Sequence, residues 1–165
     1  MTTKQLLEIA DNKNIKVYDF PMRELRAMSL SGGYIAMDKR KFESGAEYKC
    51  GLAHEIGHCE TDSFYNINTT VSLKDLKERQ ANRFAAELLV PLSELCKAVQ
   101  QGAIIPRTLA MLFDVTIEFI NMVLDLYEQE LLSFMRGYVY WKTSTSVSHQ
   151  RIMYNAHVNE SAQSG

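Results

Sequence analysis

Residues 50–59 read CGLAHEIGHC, with His54 and His58 four positions apart. On an α-helix that spacing places two imidazoles one turn apart on the same side, where both can reach a single metal ion. Gly51, Ala53 and Gly57 keep the segment thin. A glycine inside a helix costs about 1 kcal/mol relative to alanine, so two of them point to a second backbone passing close by. The competing reading is a chance H-E-x-x-H on an ordinary helix surface. Two ligands do not make a metal site, so the decision rests on a third.

The third is sought in SLKDLKERQANRFAAELLVP, residues 72–91, where Ser72 is predicted to cap a helix that Pro91 ends. Its acidic residues are Asp75, Glu78 and Glu87. With Glu78 at zero and a turn of about 100° per residue, Ala85 falls near −20°, Leu89 near +20°, Asn82 near +40° and Ala81 near −60°. Arg79, Gln80, Arg83 and Glu87 gather on the opposite arc. Glu87 is therefore solvent-facing, and Asp75 in the first turn needs only the helix dipole to account for it. Glu78 lies along the small, apolar face. A carboxylate there is costly unless it is paired with a buried arginine, caps a helix or binds a metal. Ala81 and Ala85 leave room beside it for the HEIGH helix, and Glu78 is the ligand this reading selects.

Outward from these helices the pattern is α+β. TTKQLLEIADNKN predicts a short helix with Leu6, Leu7, Ile9 and Ala10 inward. IKVYDF predicts a strand ending before Pro21, and the Gly-Gly turn at 32–33 precedes a second strand, Tyr34 to Asp38. The latter is a candidate edge for an extended peptide. Ser44 and Glu47 form the capping-box pattern at the start of the HEIGH helix. Leu92 to Gln101 is a further helix closed by Gly102, and two more follow, the second capped by Thr116. The tail from Arg136 is read as a β-hairpin with a frayed end. The predicted division is 1–102 as the core, 103–135 as a helical extension packed on it, and 136–165 as the tail.

Composition narrows the function classes. A net charge of −2 over 165 residues argues against non-specific nucleic-acid or acidic-membrane binding. No apolar run has the length of a membrane span, and residues 1–13 lack the apolar core of a signal peptide. Cys50, Cys59 and Cys96 are neither an even set nor a C-x-x-C pair, so reduced thiols in the cytoplasm are expected. Cys59 stands about 100° from His58 on the helix and is not expected to ligate the same ion. Cys50 is expected to be a small buried hydrophobe, and His149 and His157 to be solvated.

The two segments together, GLAHEIGHC and LKERQANRFAAELLVP, resemble the ImmA/IrrE family of zinc metallopeptidases. The second matches that family's downstream helix at Glu78, Ala81, Asn82, Phe84, Ala85, Leu88, Leu89 and Pro91. The resemblance implies a zincin-like core with His54, His58 and Glu78 as Zn2+ ligands and Glu55 as the catalytic acid/base. Glu55 follows the first ligand and faces another direction, so it is free to take a proton from water and pass it to the leaving amine. Asn82, one turn beyond Glu78, is a candidate hydrogen-bond partner for a ligand. The oxyanion-stabilising residue is not identified by sequence; Tyr48, Arg83 and His149 are chemically suitable. The family implies an endopeptidase that cleaves a helix-turn-helix repressor in phage, mobile-element or stress control, with no membrane or direct nucleic-acid partner. Some relatives add a larger C-terminal sensor domain, which thirty residues of tail would not hold. The oligomeric state is not legible.

LAMLFDVTIEFINMVL, residues 109–124, raises two other readings. It resembles a helix-turn-helix, which would suit a DNA-binding regulator. Residues 117–130 nevertheless hold Glu118, Asp125, Glu128 and Glu130 and no lysine or arginine, whereas a recognition helix carries donors to bases and phosphates. Packing or partner docking is the expected role. The remaining alternative is a catalytically silent relative that acts as a protein-interaction module.

Overall fold

Thr2 starts the first helix: its hydroxyl accepts from the Gln5 N–H, and the Gln5 side chain accepts from Thr2 N at 2.8 Å. This capping box opens α1 (Thr3–Asn12) in the computed structural model, which describes residues 1–144. Leu6 and Ala10 are fully buried, as expected, whereas Leu7 is exposed. The inward stripe of α1 is narrower than its leucine content suggests, because this short helix has the rest of the fold on one side only.

Three strands follow: β1 (Lys16–Asp19), β2 (Ala27–Leu30) and β3 (Tyr34–Met37). Their order is β1-β3-β2, with β3 parallel to β1 and antiparallel to β2. Gly32 and Gly33, at φ 93° and 79°, make the β2–β3 turn in a region that side-chain-bearing residues avoid. Two expectations are corrected here. β2 was not anticipated at all. Once it pairs with β3, the strand expected to offer a free edge is the middle of the sheet, with both sides bonded. The outer strands are β1 and β2. Ile35 and Met37 of β3 face inward and are almost wholly buried.

α2 (Gly45–Glu60) carries the histidines. Ser44 caps it, accepting from Glu47 N at 3.0 Å. Only half of the expected box forms, because the Glu47 carboxylate accepts from Glu43 N at 2.7 Å and pairs with Arg26. α3 (Val71–Leu89) begins earlier than expected. Hydrogen bonds of the Asn66 and Thr69 side chains organise a turn over 66–69. That turn delivers the chain into helix at Thr70, leaving Ser72 inside the first turn instead of at the cap.

α4 (Leu92–Gln100) starts after Pro91, and α5 (Pro106–Phe113) has its proline at the first position, where no N–H is missed. Asp114 turns left-handed at φ 53°, and Thr116 accepts from Phe119 N at 3.1 Å to open α6 (Ile117–Leu126), as expected. Residues Met1–Leu126 form one compact unit. Its core gathers Leu6 from α1, Ile35 from β3, Leu52 and Ile56 from α2, Ala81 and Ala85 from α3, and Ile120 and Val123 from α6. Lys49 is buried among them: its ammonium donates to Asp114 Oδ2 at 2.6 Å and to the Met1 carbonyl at 3.1 Å.

The second unit begins at Tyr127 and contains α7 (Glu128–Ser144). The expected first arm of a β-hairpin, from Arg136, is helical through Ser144. The helix runs on through Gly137, and its continuation overrides the strand propensity of the aromatic residues that follow. The rest of the expected hairpin, with His149 and His157, lies outside the described residues. Among the described residues no helix is long and apolar enough to cross a membrane.

Candidate metal centre

The site depends on how closely α2 and α3 approach. A methyl group placed on Gly57 would lie 2.5 Å from the Ala81 carbonyl oxygen and 3.0 Å from its Cα. The two helices therefore touch backbone to backbone, which requires glycine on one side and small residues on the other. Ala81 and Ala85 are fully buried at this contact face. Glu78, one turn before Ala81, is thereby held against the histidines.

His54 Nε2 and His58 Nε2 are 3.0 Å apart. Glu78 places Oε2 3.4 Å from the first and Oε1 3.5 Å from the second. A tetrahedral ion with bonds of about 2.05 Å separates its donor atoms by about 3.3 Å, so each of these spacings is close to one edge of such an ion's coordination shell, with the carboxylate turning one oxygen towards each imidazole. Among the described residues, these three form the group of side chains able to hold a metal. The structure thus brings together the three residues that the sequence nominated as ligands.

The imidazole hydrogens make the fit chemical as well as geometric. His54 Nδ1 donates to Asn82 Oδ1 at 2.8 Å. His58 Nδ1 donates to the Ser63 carbonyl and hydroxyl oxygens, each at 2.9 Å. With both Nδ1 protons so assigned, both Nε2 atoms present lone pairs to the same point, beside a carboxylate. Lone pairs that close repel unless a cation or a shared proton lies among them. Asn82 stands where it was expected. Ser63, fully buried, was missed: it sits in the irregular segment after α2, where no periodicity marks it.

Electrostatics reinforce the cluster. With a proton on His54 Nε2 in the place of a cation, its hydrogen bond holds the Glu78 carboxyl down to about 2, against the opposing effect of burial and with help from the Tyr65 hydroxyl. Burial works against a charged His54, but the Glu78 hydrogen bond and the charges of Glu55 and Glu78 outweigh it and raise its pKa. Burial lowers that of His58, and the neighbouring His54 adds to the effect. Glu55 lies outside the ligand triangle and is buried. Burial raises its pKa, opposed by the charge of His54 and by hydrogen bonds from Ser29 of β2.

Tyr65 was also missed. Its ring meets His58 edge-on at 5.9 Å, and its hydroxyl hydrogen-bonds Glu78. Tyr48 and Arg83, the described residues expected to suit an oxyanion, are engaged elsewhere. Tyr48 packs edge-on against Phe42 at 5.2 Å, and Arg83 is exposed and pairs with Glu87 at 3.3 Å. Cys50 and Cys59 are free thiols outside the cluster, each pushed up to about 11 by burial.

The family model described as IrrE N-terminal-like domain (Peptidase_M78) matches residues 11–125, which include both motif helices. No curated protein and no solved structure matches the chain. The match suggests a metallopeptidase-type function, and the donor set of His54, His58 and Glu78 suits the metal that such a function requires.

Proposed function

Since the chain belongs to the IrrE N-terminal-like peptidase family, we propose that it is a zinc-dependent endopeptidase acting on a helix-turn-helix repressor in phage, mobile-element or stress control. The observation that carries this reading is the convergence of two Nε2 atoms and one carboxylate oxygen, with both Nδ1 protons already committed. Two neutral imidazoles and one carboxylate make a common zinc-peptidase ligand set. Zinc held by His54, His58 and Glu78 supplies Lewis acidity, polarising the scissile carbonyl and acidifying water.

The chain's own groups do the rest. Asn82 and Ser63 fix the two rings so that their Nε2 atoms face inward. Glu55 accepts the proton of the attacking water and returns it to the leaving amine; its raised pKa, from burial first, suits a group that must both take and give. The Tyr65 hydroxyl, at the rim beside Glu78, is the candidate donor to the developing oxyanion. An extended substrate would add to the outer edge of β2, whose Ser29 hydrogen-bonds Glu55. A repressor substrate and three unpaired cysteines accord with work in the cytoplasm.

The test is co-expression with a helix-turn-helix repressor encoded beside this chain, using the wild type and Glu55→Gln, together with metal analysis of both. Cleavage by the wild type alone, at one zinc per chain in both proteins, is expected. Equal relief of repression by both proteins would replace the peptidase with an interaction module. A DNA-binding role has no support from α6, which carries Glu118 and Asp125 and no basic residue.

A further inference from the structure

A groove of about 740 Å3 runs between α3 and α6 and opens on the metal centre, because Glu78 and Asn82 line both. Its far wall is one face of α6: Glu118, Met122 and Asp125 recur at helical spacing. Asp75 faces them from α3. Asp75, Glu118 and Asp125 are exposed and make no ion pair among the described residues. Arg79 is the one basic side chain in the lining, so apart from Glu78 the groove carries a net charge of −2. Unneutralised carboxylates in a concave wall raise the local concentration of cationic groups. Leu76 and Met122 supply apolar surface for an aliphatic stem.

We infer that this groove selects the substrate: it takes a lysine- or arginine-bearing segment of the polypeptide next to the bond being cut. The inference rests on the peptidase reading and deepens it. It also gives the helix-turn-helix-like pair a role. α6 occupies the place of a recognition helix in that segment, yet its acidic face turns towards the α3 wall of the cleft and repels a phosphate backbone. A basic segment, such as one that itself binds DNA, has the complementary charge.

The experiment uses the full chain loaded with zinc and three internally quenched peptides of one sequence. They carry two lysines, two glutamines or two glutamates on one side of a Leu–Ala bond, and a mirrored set carries them on the other side. Direct binding of the same peptides to Glu55→Gln is read by fluorescence anisotropy. An exposed charge pair changes binding by up to about fivefold. The lysine peptide of one set should therefore exceed its glutamate counterpart by about tenfold or more in both readouts, and the difference should shrink in high salt. Glu118→Lys combined with Asp125→Lys should invert the preference, and Glu118→Gln with Asp125→Asn should abolish it. Both positions are exposed, and an unchanged melting temperature verifies the fold.

Equal handling of all peptides, or a preference untouched by the double reversal, overturns the inference while leaving the peptidase standing. Charge-selective binding without hydrolysis of any peptide upholds the groove and overturns the peptidase reading instead.

Discussion

Replacing Gly57 with alanine puts a methyl carbon 2.5 Å from the Ala81 carbonyl oxygen and 3.1 Å from its carbonyl carbon. Both atoms are backbone, so no side chain can swing away. To reach an ordinary contact near 3.4 Å the helices must part by about 0.9 Å. Overpacking of this kind costs about 1–3 kcal/mol, and the gain in helix propensity returns up to about 1 kcal/mol. A net loss of about 1–2 kcal/mol lowers the melting temperature by roughly 2–8 °C in a chain of this size. The larger effect falls on the metal. Metal–ligand distances tolerate about 0.2 Å, so the same displacement takes Glu78 out of reach of an ion held by the histidines. We expect zinc affinity, measured by competition with a chromophoric chelator, to fall by 10- to 100-fold or more. Gly51→Ala is the control. Its methyl meets first the Phe42 ring edge at 3.0 Å and then the Met37 side chain at 3.7 Å, which can yield, so zinc affinity should hold. If Gly57→Ala binds zinc like the wild type, the helix contact does not set the ligand spacing.

Asn82→Ala frees the His54 ring and should weaken zinc binding by about 10- to 100-fold, while Asn82→Asp, which keeps an acceptor, should restore most of it; isothermal titration separates the two. Tyr65→Phe should keep one zinc per chain and lower kcat by about tenfold or more with little change in KM, whereas an unchanged kcat would confine Tyr65 to packing. Asp38 answers a question of pH. The Arg40 guanidinium, bonded to it twice at 2.9 Å, and the Met22 N–H hold its carboxyl well below the usual range. A depressed folded pKa stabilises the protein above the unfolded value of 3.8 and ceases to do so as pH falls through the folded one. The difference in urea midpoint between the wild type and Asp38→Asn should be constant above about pH 5 and shrink below pH 4; a difference independent of pH would contradict the assignment.

Local periodicity made the grouping of the three candidate ligands legible. His54 and His58 need only the helical repeat, and Glu78 was found because a carboxylate on an alanine-lined face is anomalous. Thr116 and Pro91 were readable for the same reason, since caps and breakers act on their own neighbours. What escaped depends on distant partners. β2, with the four residues AMSL, is a strand only because β3 lies beside it, and that pairing moves β3 from edge to centre. Ser63 and Tyr65 lie in an irregular segment after α2, and only the folded geometry brings them to His58. The start of α3 was misplaced because Ser72 fits a cap pattern, while the turn at 66–69 sets the true beginning.

The ammonium of Lys49 joins positions that are far apart along the chain: the Met1 carbonyl, the middle of the histidine helix and the left-handed bend at Asp114. Were α5 and α6 to detach while the remainder stayed folded, that cation would lose the Asp114 carboxylate, its counter-ion. Partial opening along this seam is therefore disfavoured, and residues up to 126 should melt in a single step. Trimming the protein after α4 would remove a keystone.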